Sequence, residues 1–360
     1  MKYIYIQPSM NFSGSEQSLY QILNSVNNLD NSIVLTFEDG QMKNKLEDLG
    51  VKVHLLWGAK LQRNVVGAGL FILSFFSIFL YGLANYRKLK NSSVIYFNTL
   101  MSPQFYILKL FTGSNTRFIT HVREFHTTYP QKIYIWYFKI ANLFTNSFVF
   151  CTGAIAKQDC LKNISLKSYE VIHNTSSFPL SKPREQVISH NTFRIGFVGA
   201  TTFLKGIDRV LSFKEKYKNS SLNLELIIAG KITDNLFLTK KQNDPTIKFL
   251  GCIDEMTDFY KNIDCLVMVS RTETFPRVIV EAFNHGVPVI ATDVGGVYEA
   301  ISSGGGIVIK NEDETIPNDL YDGVKDILLN YPSYSNAAIS SYSNRFSPQV
   351  INRKVLDVIR

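Results

Sequence analysis

Cysteine is scarce in this sequence, and its four copies, Cys151, Cys160, Cys252 and Cys265, are not spaced as metal ligands or redox pairs. No CxxC or CxH spacing occurs, which argues against a zinc site and against a disulfide framework. We therefore expect reduced thiols, as in cytoplasmic proteins. The sequence also has no DxD motif, so it gives no support for an obligatory metal ion or another cofactor.

Acidic residues are missing from a long part of the chain. Between residues 49 and 123 there is no Asp or Glu, against nine Lys or Arg. The net charge of +8 lies wholly in residues 1–178, which carry 17 basic and 9 acidic residues, whereas residues 179–360 carry 21 of each. A basic surface interleaved with aromatic residues is typical of proteins that bind nucleic acid, an anionic membrane or a phosphorylated substrate. The N-terminal stretch MKYIYIQPSMNFSGSE shows no signal-peptide pattern.

Charge is also missing from residues 65–84, VVGAGLFILSFFSIFLYGLA, a length sufficient for a membrane span. Basic residues flank this segment on both sides, so neither orientation is favoured. Polar side chains recur at helical spacing, at Ser74, Ser77, Tyr81, Asn85 and Lys88. We therefore expect a helix that lies on a sheet, with its other face at or near a membrane interface, rather than a spanning helix.

The order of strands and helices predicts two α/β domains. The length of 360 residues exceeds one ordinary core. The stretches KYIYIQPSM, NFSGSEQSLYQILNSV and SIVLTF read as strand, helix and strand, and FRIGFVG restarts the pattern after a polar, proline-containing linker. Such alternation is typical of parallel sheets, whose ligands bind at the carboxyl ends of the strands.

Residues 271–286, RTETFPRVIVEAFNHG, carry signals for the start and the end of a helix. Thr274 suits the N-cap, Pro276 suits the first turn, and Gly286 suits the position after the last turn. Glu273 then lies in the loop before the helix, and Glu281 lies roughly two turns along it, among apolar neighbours. A carboxylate in such surroundings needs partners, and sugar or ribose hydroxyls are suitable ones.

Two features of the first half are expected at the same edge of its sheet. The small residues Ser13, Gly14 and Ser15 lie where the first strand meets its helix, so backbone N–H groups can approach an anion there. His121 follows the strand RFIT and can polarise or hydrogen-bond a substrate. The alternatives are a tight turn with a helix cap at 13–15 and a histidine packed in a loop at 121.

The stretch from Ser270 to Gly296 fits the pattern S-x-x-E-x-F-P-x-x-x-x-E-A-x-x-x-G-x-P-V-I-A-T-D-x-G-G. Through this pattern the sequence resembles the retaining GT-B glycosyltransferases of family 4, the "glycosyl transferases group 1" set. The two glutamates that the family carries eight positions apart are Glu273 and Glu281 here. Shorter similarities at SGSE, HVRE, VIHNT, LKGID and KFLG extend the resemblance over most of the chain.

The resemblance implies an α/β GT-B fold with two Rossmann-like domains facing a central cleft. It implies an acceptor-binding domain at 1–178, a linker at 179–192 and a nucleotide-sugar-binding domain at 193–345. Residues 346–360 would form a C-terminal helix that crosses back to the first domain.

The resemblance also implies roles for residues of the second domain. Glu281 would bind the ribose of the nucleotide, and Glu273 would contact hydroxyls of the sugar being transferred. Backbone N–H groups from Thr274 to Arg277, including that of Phe275, would hold the sugar and the diphosphate.

Four further residues receive roles in the same way. Lys205 would neutralise the phosphates, while Gly14 and Ser15 would approach them from the first domain. His121 matches the family's histidine near the sugar of the donor.

The sequence departs from the family at Ala200, where an arginine is frequent. Cleavage of a sugar–diphosphate bond needs the charge of the leaving group to be stabilised, so a missing cation weakens the site. Arg271 or Arg277 can supply the charge instead, and the alternative is reduced or altered use of the sugar donor. A serine also stands in the SGSE loop where the family commonly has glycine.

The implied reaction moves a sugar from a nucleotide diphosphate sugar to an acceptor hydroxyl with retention of configuration. We expect a lipid-linked saccharide as acceptor, a role in bacterial O-antigen or capsule synthesis, and a cytoplasmic location at the inner face of the plasma membrane. The basic first domain would contact that anionic surface, and nucleic acid is not an expected partner. The competing hypothesis is a nucleic-acid- or membrane-binding protein with a degenerate, inactive transferase site.

Overall fold

The computed structural model describes residues 2–11, 14–25, 31–59, 65–126, 130–176, 178, 180–184, 192–233 and 244–360, apart from the side chains of 65–68. Ser13 and most of the predicted linker, at 179 and 185–191, lie outside these residues. The chain divides into two compact units, Met1–His173 with Ile351–Arg360, and Asn174–Val350. These limits differ by a few residues from the domain limits at 178 and 345 that the sequence suggested.

The first unit is built on a parallel sheet. Its described strands are β1 (Tyr3–Ile6), β2 (Ser32–Thr36), β3 (Lys52–Leu55), β4 (Val94–Phe97), β5 (Arg117–Val122), β6 (Ser147–Phe150) and β7 (Tyr169–Val171). They lie in the order β3-β2-β1-β4-β5-β6-β7, and every recorded pair is parallel. The order reverses between β1 and β4, so the loops after these strands diverge and leave room for a ligand at the carboxyl edge.

Helices connect these strands. They are α1 (Gly14–Asn24), α2 (Gln41–Asp48), α3 (Val65–Ala84), α4 (Tyr86–Lys90), α5 (Gln131–Phe144) and α6 (Gly153–Ala156), with 3₁₀ helices at Pro103–Phe111 and Asp159–Leu161. The predicted helix at 65–84 is present, but it packs on the 3₁₀ helix: the Phe79 and Phe111 rings lie 5.3 Å apart. In the part of the chain whose side chains are described, no helix is both long enough and apolar enough to cross a membrane.

The second unit repeats the architecture. Its described strands are β8 (Phe193–Val198), β9 (Leu224–Ala229), β10 (Ile247–Gly251), β11 (Cys265–Met268), β12 (Val289–Thr292) and β13 (Gly306–Ile309). They form a parallel sheet in the order β10-β9-β8-β11-β12-β13, which reverses between β8 and β11. Its helices are α7 (Ile207–Lys216), α8 (Met256–Lys261), α9 (Arg277–Asn284), α10 (Val297–Ile301), α11 (Ile316–Leu329) and α12 (Tyr331–Ser341), with a 3₁₀ helix at Phe203–Lys205 and a π-helical turn at Tyr342–Phe346.

The last helix, α13 (Pro348–Ile359), returns to the first unit, as the sequence resemblance implied. Ile351, Val355, Val358 and Ile359 are buried in the core that β1, β2 and α1 share. The Arg117 guanidinium on β5 also donates to the Val358 carbonyl. The helix thus follows the second unit in sequence but is part of the first in packing.

Candidate active site

The carboxyl edge of the second sheet brings Lys205 and Glu273 together. Lys205 ends the 3₁₀ helix that follows β8, and Glu273 lies in the loop after β11, the neighbouring strand. The Lys205 ammonium lies 2.6 Å from Glu273 Oε2. Because the strand order reverses between β8 and β11, this pair lies where open parallel sheets bind ligands. A cation and a carboxylate are therefore available at one point of the crevice.

The loop that carries Glu273 runs further than the sequence suggested. Helix α9 begins at Arg277 with Pro276 as its N-cap residue, so the predicted N-cap at Thr274 is wrong. The Thr274 N–H instead donates to Glu273 Oε1, 3.0 Å away, and the Thr274 carbonyl accepts from Gly296 N–H at 2.8 Å. The end of the helix is as predicted, because Gly286 follows the last turn with a φ of 66°.

Gly295 allows the turn after β12 to approach this loop closely. Its φ is 55°, and a Cβ added there would lie 1.9 Å from the Glu273 carbonyl oxygen. Only glycine fits without displacing one of the two segments. The final glycines of the motif therefore hold the loop that positions Glu273.

Glu281 lies on α9 with its side chain 14% exposed and with two partners. The Tyr260 hydroxyl donates to Glu281 Oε2 over 2.9 Å, and the Arg277 guanidinium lies 3.8 Å from Oε1. Burial raises the pKa of Glu281, while Arg277 and the Tyr260 hydroxyl oppose the rise. Tyr260 is fully buried and stacks on His285, with ring centroids 5.1 Å apart, so the residue that orients Glu281 is itself held in place.

Arg271 and Arg277, the two candidates to replace the cation missing at Ala200, have different surroundings. Arg271 makes a bidentate pair with Asp208, at 2.9 and 2.7 Å, and a third contact with Asp313 at 3.0 Å. Its guanidinium also lies 3.5 Å above the centre of the Phe203 ring. Two acids balance its charge, so its position favours a structural role that fastens the 3₁₀ helix bearing Lys205. Arg277 instead lies in the first turn of α9, next to Glu281.

Phe275 fixes the main chain that leads into α9. The side chain is buried, and its ring lies 5.9 Å from that of Phe346. The Phe275 carbonyl accepts a long hydrogen bond from the amide of Asn174, in the VIHNT stretch. This packing fixes the path of the main chain into α9, whose N-terminal N–H groups are suited to an anion.

His121 is the second-to-last residue of β5, near the carboxyl edge of the first sheet, and is 1% exposed. Its Nδ1 lies 2.6 Å from the Tyr96 hydroxyl and 3.0 Å from the Arg123 guanidinium. A guanidinium can only donate, so Nδ1 accepts and the ring proton lies on Nε2. Burial, with a smaller effect of Arg123, holds the pKa of His121 well below its usual value. His121 is therefore a neutral imidazole whose Nε2–H has no partner among the described residues.

A buried network links His121 to the predicted phosphate turn. Gly14 and Ser15 open α1, and the Ser15 carbonyl accepts from the Asn98 amide at 2.8 Å. The Asn98 side-chain Oδ1 accepts in turn from Arg123 Nε at 3.1 Å. The structure thus places Ser15 and His121 in one cluster at the β1, β4 and β5 ends. The sequence analysis did not identify Tyr96 and Asn98 of this network, nor Gln7, which accepts from the Asn98 side-chain amide at 2.7 Å. It also missed Tyr260, the partner of Glu281 in the second unit.

Comparison with known proteins agrees with this geometry. Residues 181–343 match the family model described as "Glycosyl transferases group 1". An uncharacterized glycosyltransferase of Methanocaldococcus jannaschii is 31% identical over 54% of this chain and 53% of its own length. The capsular polysaccharide biosynthesis glycosyltransferase CapM of Staphylococcus aureus is 28% identical over 45% of this chain and 44% of its own. The chain thus spans about half the length of the curated relatives it matches.

The fold as a whole is similar to that of solved glycosyltransferase-type structures. HepE of Anabaena, solved in complex with UDP and glucose, superposes with a TM-score of 0.80 at 19% identity, covering 100% of this chain and 99% of HepE. The two parallel-sheet units therefore form the GT-B fold that the sequence predicted. Residues 181–343, which carry Lys205, Glu273 and Glu281, are thus the part of the chain that matches the glycosyl transferases group 1 family.

Proposed function

We propose that this protein is a retaining glycosyltransferase that moves a sugar from a nucleotide diphosphate sugar to an acceptor hydroxyl. The observation that carries the proposal is the contact between Lys205 and Glu273 at the switch point of the second sheet, with Glu281 further along α9. Adjacent segments thereby supply three groups. Lys205 is a cation for phosphates, Glu273 is a carboxylate for a sugar, and Glu281 is a carboxylate for a ribose. The family match and the UDP complex of HepE support the same assignment.

In the proposed reaction the bond between the sugar's anomeric carbon and the diphosphate breaks. The acceptor oxygen attacks from the same face, and its proton passes to the departing phosphate oxygen. Lys205 and the N-terminus of α9 stabilise the charge of the leaving diphosphate, and Glu273 orients the sugar through its hydroxyls. The Nε2–H of His121 serves as a hydrogen-bond donor to the sugar, because Nδ1 accepts from Arg123 and leaves the ring proton on Nε2.

The proposal needs no metal, since Lys205 and the α9 N-terminus supply positive potential to the diphosphate. Nucleotide release should therefore continue in excess EDTA. Loss of activity in EDTA that Mg²⁺ restores would show that the charge is neutralised in another way.

For the acceptor we propose a lipid-linked saccharide at the inner face of the bacterial plasma membrane, in the synthesis of O-antigen or capsule. The acid-free stretch between residues 49 and 123 suits an anionic membrane and a lipid pyrophosphate. The name of CapM, a capsular polysaccharide glycosyltransferase, supports a surface polysaccharide as the product.

A panel of nucleotide sugars beginning with UDP-glucose tests the transferase assignment, with nucleotide release measured with and without a lipid-pyrophosphate sugar. Glu281→Ala should abolish stabilisation by the sugar donor and nucleotide release, whereas Glu312→Ala, which removes an exposed glutamate of the same unit, should preserve both. Full activity of Glu281→Ala would overturn the site. Stabilisation by nucleic acid alone, with no response to any nucleotide sugar, would favour the binding-protein hypothesis.

A further inference from the structure

Helix α3 exposes an apolar face and keeps its few polar side chains on the inward side, unlike an ordinary surface helix. A helix on a water-soluble protein normally buries its apolar stripe and exposes its polar one. In α3 the polar stripe found in the sequence faces the protein: Ser74 is fully buried, while Ser77, Tyr81 and Asn85, just beyond the helix, are partly buried. Lys88, the last member of that stripe, lies in α4 and is exposed.

Hydrogen bonds and close packing hold this inward face. The Tyr81 hydroxyl lies 3.1 Å from His54 Nδ1 on β3, whereas the Ser74 hydroxyl donates within the helix, to the Phe71 carbonyl at 2.5 Å. Gly82 lets the Phe111 ring pack directly on the helix backbone, because a Cβ at that position would lie 2.3 Å from the ring. The face docked on the first unit therefore carries the polar stripe together with the buried Phe71 and Ile78, and the other face is left outward.

The outward face of α3 is apolar along its described length. Leu73 is 56% exposed and Phe76 is 62% exposed, and the neighbouring 3₁₀ helix adds Leu110 at 69%. We call this surface the apolar face of α3; its members are Leu70, Ile72, Leu73, Phe75, Phe76, Phe79, Leu80, Leu83 and Leu110. Soluble monomers rarely expose so many contiguous large apolar side chains unless another surface covers them.

The charges around this face indicate what covers it. Exposed Arg87, Lys88 and Lys90 follow the helix directly, and Lys109 adjoins Leu110. No acidic residue lies between positions 49 and 123, so nothing in this stretch offsets those cations. A second copy of the chain related by two-fold symmetry would place cations against cations, which is unfavourable. Anionic lipid headgroups around an acyl interior complement both the basic rim and the apolar centre.

We propose that α3 is an interfacial helix that inserts its apolar face into the headgroup–acyl boundary of an anionic bilayer. Its inward face, with Ser74 and Tyr81, would stay on the protein, and the basic residues after the helix would contact lipid phosphates. The helix would lie flat rather than span, because its inward face is already packed against the 3₁₀ helix. The inference builds on the proposed membrane-bound acceptor, but it assigns the attachment to a particular surface and can be tested without any sugar donor.

Sedimentation of the full chain with phosphatidylglycerol–phosphatidylcholine vesicles tests the proposal, with phosphatidylcholine vesicles as comparison. The chain should bind the anionic vesicles, and Ile72→Ser with Phe76→Ser should weaken binding by about tenfold or more, because each buried side chain contributes substantially. Lys88→Ala should weaken it by about fivefold, and salt should reduce that contribution. Leu143→Ser is the matched control, since Leu143 is 72% exposed on α5, and it should bind as the unmodified chain does.

Three results would overturn the proposal. The first is absence of binding to anionic vesicles, and the second is equal binding by the double serine variant and the Leu143→Ser control. The third is a dimer in solution that the double variant dissociates, which would show that a second copy covers the face. Circular dichroism of the variants checks that they fold. Nucleotide release with a water-soluble acceptor should be unchanged in the double variant, so a failed vesicle experiment would leave the proposed transferase activity intact.

Discussion

Glu281 is a buried carboxyl group, and its burial predicts that the stability of the folded chain depends on pH. Burial raises its pKa, so the folded chain holds this proton more tightly than the unfolded chain does. The contribution of Glu281 to stability is therefore fully present at low pH. It is lost as the pH rises from the ordinary carboxyl range, roughly pH 4, through the raised pKa. Glu281→Gln keeps the shape but cannot ionise, so we expect it to gain stability relative to the unmodified chain as pH increases.

Urea unfolding of both proteins across that pH range measures the difference in the free energy of unfolding. Glu312→Gln removes one exposed carboxylate from the same unit and controls for general charge effects. If the unmodified chain instead gained stability over Glu281→Gln with rising pH, the contacts with Arg277 and Tyr260 would outweigh burial. In either case Glu281→Gln should lose donor binding, because an amide offers one acceptor oxygen for the ribose hydroxyls where a carboxylate offers two.

Substitution of Lys205 should mainly lower activity, whereas substitution of Arg271 should mainly lower stability. The Lys205 side chain is 40% exposed and its ion pair with Glu273 is close to solvent, so Lys205→Ala should hardly change the melting temperature. It should lower kcat/KM by roughly a hundredfold or more, since it removes a cation from the leaving group. Arg271→Ala should instead cost about 1–3 kcal/mol of stability, because Asp208 and Asp313 lose a shared partner.

Steady-state kinetics and thermal unfolding of the two variants, with Lys205→Arg as the charge-preserving control, decide between these roles. The opposite result would be a stable Arg271→Ala variant with greatly reduced activity and an active Lys205→Ala variant. It would show that Arg271, and not Lys205, binds the phosphates.

At the scale of the elements, the loop from Glu273 to Pro276 depends on the turn after β12. Gly295→Ala should displace this loop, because the new methyl group would overlap the Glu273 carbonyl. We expect a loss of donor affinity that exceeds the loss of stability. Gly251→Ala is a matched control: its φ of 67° is similarly strained, but nothing lies within 4 Å of the added Cβ. It should cost about 1 kcal/mol of stability without changing activity.

Donor titrations followed by calorimetry, beside thermal unfolding, measure both quantities for the two glycine variants. Equal donor affinity in Gly295→Ala and Gly251→Ala would show that contact with the β12 turn does not position Glu273.

The sequence predicts a feature of an element well when the contacts that fix it join neighbours in sequence, and poorly when they join residues far apart in sequence. The end of α9 at Gly286 follows from a local signal and was predicted correctly. Its start was not, because Thr274 is held by Glu273 and by Gly296, which is distant in sequence. Tyr260 and Asn98 escaped prediction for the same reason, since each contacts its partner only after the chain has folded. The polar stripe of α3 was visible in sequence, but only the packing shows that it faces inward.

At the scale of the whole molecule, alternating strands and helices were enough to predict two parallel α/β domains, because each strand–helix unit is locally encoded. The first and last residues of the two units were harder to predict from the sequence. Residues 174–178 follow the first sheet in sequence, yet Thr175 bonds to the Phe346 carbonyl and so joins the second unit. The last helix shows the opposite case: it follows the second unit and belongs to the first.

The return of α13 predicts which unit is weakened when that helix is altered. Ile351 is 3% exposed in the core of the first unit, so Ile351→Ala should cost about 2–5 kcal/mol there. Lys354→Ala, one turn along on the exposed side, should change stability by less than about 0.5 kcal/mol. Hydrogen exchange of the full chain should show protection lost in β1 and β2, while β8 and β11 keep theirs. If protection were lost only in the second sheet, α13 would pack on the second unit. Its attachment to the first unit would then be wrong.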